Sequence, residues 1–175
     1  MIRSNLLFLL AFLCLVGCAG RQDPGPLVGQ QFDLTGKIGV RGAGQSFSAR
    51  FRWQQADERY RIELWGPLGQ GRTLLNGDLT GIEIADASGA VIDRGEIRGV
   101  MERQLGWYLP LEAMPVWVQG QLLAGAPVSG LERDAAGRLA SFEQLGWRLA
   151  IDRAADGQPR RLTAEDGVYR VRIVL

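Results

Sequence analysis

The sequence predicts a mainly β domain: an antiparallel sheet built of hairpins, with a few short helices laid against its apolar face. Three observations predict it. Apolar and charged side chains alternate with period two over long stretches, turn dipeptides separate those stretches, and one central segment switches to helical spacing.

The alternation opens at Phe32, where Phe32, Leu34, Gly36, Ile38 and Val40 point one way and Asp33, Thr35, Lys37 and Arg41 the other. It resumes with Phe47, Ala49, Phe51 and Trp53 against Ser48, Arg50 and Arg52, then with Tyr60, Ile62 and Leu64 against Arg59, Arg61 and Glu63. These three runs predict a meander. Further strands are expected at Thr73 to Gly77, Gly81 to Ala85, Ala90 to Arg94, Leu139 to Glu143, Trp147 to Asp152, Arg160 to Glu165 and Val168 to Leu175. Between them lie turn signals: Asn76-Gly77-Asp78, Ser88-Gly89, Asp156-Gly157 and Asp166-Gly167. A sheet with one oily face must curl on itself or be covered. Cover comes from the middle of the chain: Val100, Met101, Gln104, Leu105 and Tyr108 fall at helical spacing over Arg98 to Trp107. A second short helix after Pro110 carries Leu111, Met114, Trp117 and Val118, with Pro115 tolerable only near its first turn.

Ahead of the domain, Met1, Ile2 and Arg3 lead into an apolar run from Leu6 to Val16 that ends at Leu15-Val16-Gly17-Cys18. This reads as a leader peptide, residues 1–17, with a lipobox. The run is about half of the roughly 20 residues a membrane-spanning helix needs. Cys14 leaves with the leader, so Cys18 has no disulfide partner and is expected to carry acyl chains. Each buried methylene contributes about 0.8 kcal/mol, so two or three chains form a lasting anchor. Ala19 follows, and the aspartate that retains many bacterial lipoproteins in the inner membrane is missing there, which favours the outer membrane. Residues 18–31 are rich in Gly, Pro and Gln and read as a tether, able to reach about 40 Å at roughly 3.3 Å per residue. Residues 32–175 form the domain, expected to act as a monomer.

Composition excludes several function classes. The chain has no histidine and, after leader removal, no thiol but Cys18, so neither a zinc site nor an imidazole-activated nucleophile can be assembled. Glycines at Gly42-Ala43-Gly44 and from Gly66 to Gly71 have no Lys-Ser/Thr pair after them, so they serve turns and not phosphates. No metal and no cofactor is expected. Twenty basic side chains stand against nineteen acidic ones and are interleaved, which argues against a nucleic-acid partner. Glu143 with Asp152, or Asp57 with Glu58, are the available carboxylate pairs, but no motif organises them, and no enzyme is expected.

Taken in order, the lipobox and the segments Gly36-Lys37-Ile38-Gly39-Val40-Arg41, Phe47 to Trp53, Tyr60 to Gly71, Leu105 to Pro110, Trp117-Val118-Gln119-Gly120 and Gly146-Trp147-Arg148-Leu149 resemble the LolB family. That family receives lipoproteins from a soluble periplasmic carrier and inserts them into the outer membrane. The resemblance implies an incomplete antiparallel β-barrel with a helical lid over an apolar cavity that shelters cargo acyl chains. It implies as partners a LolA-like carrier, cargo lipoproteins and the outer membrane at its periplasmic face. It also implies a role for the Pro67-Leu68-Gly69 tip, where a protruding apolar side chain contacts the bilayer, and Leu68 is the matching position. The expected cavity residues are Phe47, Phe51, Trp53, Tyr60, Ile62, Leu64, Met101, Leu105, Trp107, Met114 and Trp117. Their pattern alone fits a lining or a solid core. A scaffold lipoprotein of an assembly machine, a carboxylate enzyme and a general lipid carrier remain alternatives, as does a solvated outer face or an acidic-carrier contact for Arg50, Arg52, Arg59 and Arg61.

Overall fold

The structure, a computed structural model, describes residues 31–175; the leader, Cys18 and the tether before Gln31 lie outside the described residues. The first half of the domain holds β1 (Gln31–Gly42), β2 (Gln45–Ala56), β3 (Arg59–Trp65), β4 (Thr73–Gly77), β5 (Ile82–Ala85) and β6 (Val91–Gly95). Two helices follow, α1 (Ile97–Leu105) and α2 (Met114–Trp117). The second half holds β7 (Ser129–Arg133), β8 (Leu139–Gln144), β9 (Trp147–Arg153), β10 (Pro159–Glu165) and β11 (Tyr169–Val174).

All eleven strands belong to one sheet in the order β6-β5-β4-β3-β2-β1-β11-β10-β9-β8-β7. Each half is a meander, and the chain's first and last strands join the halves, with Ile38 opposite Ile173 and Val40 opposite Val171. The edges β6 and β7 do not pair with each other, so the barrel is unclosed. Both edge strands have only five residues, which limits the unpaired backbone they offer to other chains. The 33 residues between them, 96–128, carry both helices and span the gap.

Alternation sets which face curls inward. In β2, Ala49, Phe51, Trp53 and Gln55 are buried while Arg50, Arg52 and Gln54 are exposed, and β3 repeats this with Tyr60, Ile62 and Leu64. Two cross-strand pairs put an aromatic ring over a glycine: Phe51 opposite Gly36, and Tyr60 opposite Gly77. A Cβ on Gly36 would lie 2.8 Å from the Phe51 ring, and one on Gly77 would lie 2.5 Å from the Tyr60 hydroxyl. The missing side chains let the sheet bend and the rings lie flat across it.

Helix α1 begins where Glu96, in extended conformation, accepts from the backbone N–H of Arg98 at 2.9 Å and of Gly99 at 2.8 Å. It ends at Gly106, whose left-handed backbone at φ 79° lets its N–H return to the Glu102 carbonyl. Ile97, Val100 and Met101 face the sheet. Helix α2 is a single turn with Pro115 in its first positions, where no N–H is required.

The expected strands are all present, with ends shifted by one or two residues in several. One element was not expected: β7. All five of its residues are exposed and Gly130 takes a left-handed φ of 55°, so it carries no alternating signal to read. Another departure is at Leu145. The β8–β9 turn holds Leu145 at φ 52° and Gly146 at φ 79°, the conformation that Asn-Gly ordinarily fills, and a leucine there costs about 1–2 kcal/mol.

Candidate functional site

The concave face and the helices enclose an apolar void of about 50 Å³. The sheet contributes Ile38, Phe51, Trp53, Ile62, Leu64, Leu75 and Ile173; the helical segment contributes Met101, Leu105, Trp107, Leu109, Leu111 and Met114. Every side chain is aliphatic, aromatic or methionine. Such a lining stays dry, and methionine adapts its shape to whatever enters. The void holds one or two waters' worth of space at roughly 30 Å³ each, whereas pockets that take small molecules run to roughly 300–1,000 Å³. The helices lie close against the sheet and leave little of the space between them open.

Eight of the expected cavity residues reach this void: Phe51, Trp53, Ile62, Leu64, Met101, Leu105, Trp107 and Met114. Phe47, Tyr60 and Trp117 do not. Phe47 is half-buried and packs against the Trp107 ring, with centroids 6.1 Å apart. Tyr60 lies flat over Gly77, and burial raises its phenol above the usual range. Trp117 is turned toward β8, edge-on to Phe142, and donates its Nε1–H to Gln144 Oε1 at 3.1 Å. Ile38, Leu75, Leu109, Leu111 and Ile173 also bound the void; the inward alternation of the first and last strands already marks Ile38 and Ile173.

Trp107 adds a polar feature to this oily space. Its Nε1 is buried with no hydrogen-bond partner within the protein. A buried donor left unpaired costs about 1–3 kcal/mol, so a carbonyl oxygen brought beside it would be stabilised.

The lid is held at its ends. Arg103 donates to Asp93 on β6 from Nε at 3.0 Å and Nη2 at 3.1 Å, and Gln104 adds a third bond to the same carboxylate at 3.1 Å. Those bonds hold the Asp93 carboxyl below its ordinary range, Arg103 first and Gln104 second. The Arg98 guanidinium stacks over Tyr108 at 3.8 Å, and the Tyr108 hydroxyl donates to Glu112. Farther along, buried Gln144 accepts from Trp117 and from the N–H of Leu123, and donates to the carbonyls of Leu123 and Ala126. Between these holds, Leu105 and Met114 touch the void, and the Tyr169 hydroxyl on β11 donates to the Gly106 carbonyl at 2.9 Å.

Leu68 stands at the tip of the β3–β4 connection, 89% exposed, the most exposed large apolar residue among those described. A turn closes beneath it: the Gly69 N–H donates to the Gly66 carbonyl at 2.9 Å, and the Gly66 N–H to the Gln70 carbonyl at 2.8 Å. Pro67 presets the first corner position and Gly69, at φ 83°, absorbs the left-handed exit. Leu68 therefore projects from a stiff tip, away from the sheet.

Of the carboxylates considered from sequence, Glu143 and Asp152 are each engaged by a different arginine. Glu143 receives Arg148 at 2.9 Å and Ser129 at 3.2 Å, while Asp152 receives Arg161 at 2.8 Å. No group of three potential metal ligands is found among the described residues. Nor is any described helix long and apolar enough to cross a membrane. A larger recess of about 660 Å³ opens to solvent beside the β8–β9 turn, where Val128, Leu145 and Trp147 share the lining with the charged Glu143, Arg148, Glu165 and Asp166.

Relatives of this chain are found by comparison with known proteins. The chain is 36% identical over 149 residues to the outer-membrane lipoprotein LolB of Chromohalobacter salexigens, covering 82% of this chain and 68% of that one. It is 30% identical over 159 residues to that of Cellvibrio japonicus, covering 83% and 78%. It is 33% identical over 163 residues to that of Pseudomonas paraeruginosa, covering 83% and 79%. A family model described as outer membrane lipoprotein LolB matches residues 30–175, the whole of the described domain, and the chain belongs to the LolB family.

Proposed function

We propose that this chain is an outer-membrane receptor that accepts lipoproteins from a soluble periplasmic carrier by sheltering their acyl chains, and then inserts them into the membrane. As a member of its family it is an outer-membrane lipoprotein. Cys18 carries the acyl anchor after removal of residues 1–17, and residues 18–31 tether the domain. The void between lid and sheet carries the proposal, because its aliphatic, aromatic and methionine lining is complementary to hydrocarbon.

Cargo acyl chains enter where Leu105 and Met114 meet Phe51, Trp53, Ile62 and Leu64, and the lid segment swings out to make room. The Trp107 N–H then takes an ester or amide carbonyl of the cargo's lipidated terminus. No nucleotide drives the step. Transfer follows the difference in acyl-chain affinity between carrier and receptor, and then between receptor and bilayer.

The carrier docks on the outer face of β2, β1 and β11. Lys37 stands directly opposite Arg50, and Arg41 opposite Arg170, which is itself paired with Glu165 on β10. Like charges in register destabilise a sheet, so an acidic partner surface is the natural complement of this face.

Leu68 carries release. Its side chain enters the bilayer and opens a path for the acyl chains without taking part in their binding. A Leu68→Glu chain is expected to accept acylated cargo from the carrier as well as the unaltered protein does, and to leave it uninserted when given liposomes. Normal insertion by that variant would remove the assigned role.

A further inference from the structure

In an antiparallel sheet of this order, alternate connections fall at opposite ends of the barrel. The register pairs Gly42 with both Gln45 and Tyr169, Leu64 with Thr73, and Gln144 with Trp147. The tips at 43–44, 66–72, 86–90, 145–146 and 166–168 therefore share one end. Those at 57–58, 78–81, 134–138 and 154–158 share the other.

The two ends differ in chemistry. Leu68, Leu145 and Val168, respectively 89%, 44% and 59% exposed, crown three separate tips of the first end. Only Leu79 does so at the second. The first end's tips carry Asp86 and Asp166 with Arg72, whereas the second end's carry five carboxylates, Asp57, Glu58, Asp78, Asp134 and Asp156, against Arg138. Anionic headgroups repel the more acidic end more strongly, and the apolar prongs stand on the other.

Leu145 adds an independent sign. Both burial and backbone preference oppose a leucine at a left-handed tip position open to water, where asparagine would suit the same turn better. Strain kept at an exposed position points to a use there. The prongs stand on three different hairpins, β3–β4, β8–β9 and β10–β11. Separate prongs suit a fluid acyl layer, which closes around each one.

We infer that the Leu145 and Val168 tips are further feet on the lipid bilayer, which with Leu68 stand the open barrel on the membrane by one end with its acidic end in the periplasm. This rests on the assignment of Leu68 to the bilayer. It adds an orientation: the β8–β9 and β10–β11 hairpins, on the far half of the sheet from Leu68, reach the same surface.

The test uses the full lipidated chain in phospholipid vesicles with single dye-bearing cysteines at Leu68→Cys, Leu145→Cys, Val168→Cys and, at the opposite end, Glu58→Cys. Lipids brominated near the headgroup are expected to quench the first three dyes and to spare the fourth. Quenching at 68 alone overturns the inference and leaves the Leu68 assignment standing; quenching at none of the three overturns both. Dyes at 145 and 168 that respond to added carrier protein but not to brominated lipid would assign these tips to a protein and overturn it as well. A second variant guards against misfolding: Leu145→Asn relaxes the turn, so its Tm is expected to hold or rise while the rate of cargo insertion falls several-fold. Insertion at the unaltered rate by Leu145→Asn would contradict the inference.

Discussion

Gly36 shows how much one hydrogen atom decides in this fold. A methyl group there would meet the Val174 carbonyl at 2.2 Å as well as the Phe51 ring, and backbone on that side cannot yield. Gly36→Ala is expected to cost about 1–3 kcal/mol, the usual range for overpacking, read as a lower urea midpoint with an unchanged slope. Gln144 is the polar counterpart. Replacing it with leucine leaves the Trp117 indole and the Leu123 N–H without their acceptor, a loss of about 1–3 kcal/mol that calorimetry would register as a lower Tm. Leu68 was legible from sequence because proline and glycine flank it and both have set places in a tight turn. Gln144 was not, because nothing local distinguishes a buried glutamine from the exposed Gln54. Leu145 was hidden for a similar reason: a leucine between two strands reads as core, and only the backbone angle shows it outside.

At the scale of elements, the period-two strands were readable because one side of each faces oil and the other water, which forces alternation on the chain. The edge strand β7 faces water on both sides and so wrote no such pattern. Helix α1 was expected at Arg98 to Trp107 and runs Ile97–Leu105, a shift set by the Glu96 cap and the Gly106 exit. Both ends of its hold on the barrel depend on ionised carboxylates. The Glu96 carboxyl is held below its ordinary 4.5 by the N–H groups of Gly99 and Arg98, and the Asp93 carboxyl below its ordinary 3.8 by Arg103 and Gln104. Groups with depressed values stabilise the fold fully above their unfolded values and lose that contribution as pH falls through the folded ones. Acidification from neutral through the ordinary carboxylate range and below should therefore loosen α1 before the strands, since both carboxylates lose their hold as pH falls through their lowered values. Hydrogen exchange by mass spectrometry would resolve this as faster exchange in 97–105 than in β1 to β3, and equal protection of the two regions at low pH would refute it.

For the whole molecule, the open edge between β6 and β7 and the segment that spans it matter more than any single contact. Here the sheet supplies one wall of an oily interior, and a segment fastened mainly at its ends supplies the other. An oily interior was expected from sequence, since alternation over so many strands must enclose one. How full it stands was not, because the same residues can line a space or fill it. The void of about 50 Å³ makes lid displacement a requirement of acyl binding and not an embellishment of it. Hydrogen exchange on the full chain with and without a bound acylated lipoprotein tests that requirement most directly. Exchange in 97–117 should rise on cargo binding while β1, β2 and β11 stay protected. Saturable binding of cargo with exchange in 97–117 unchanged would place the acyl chains elsewhere and contradict the account.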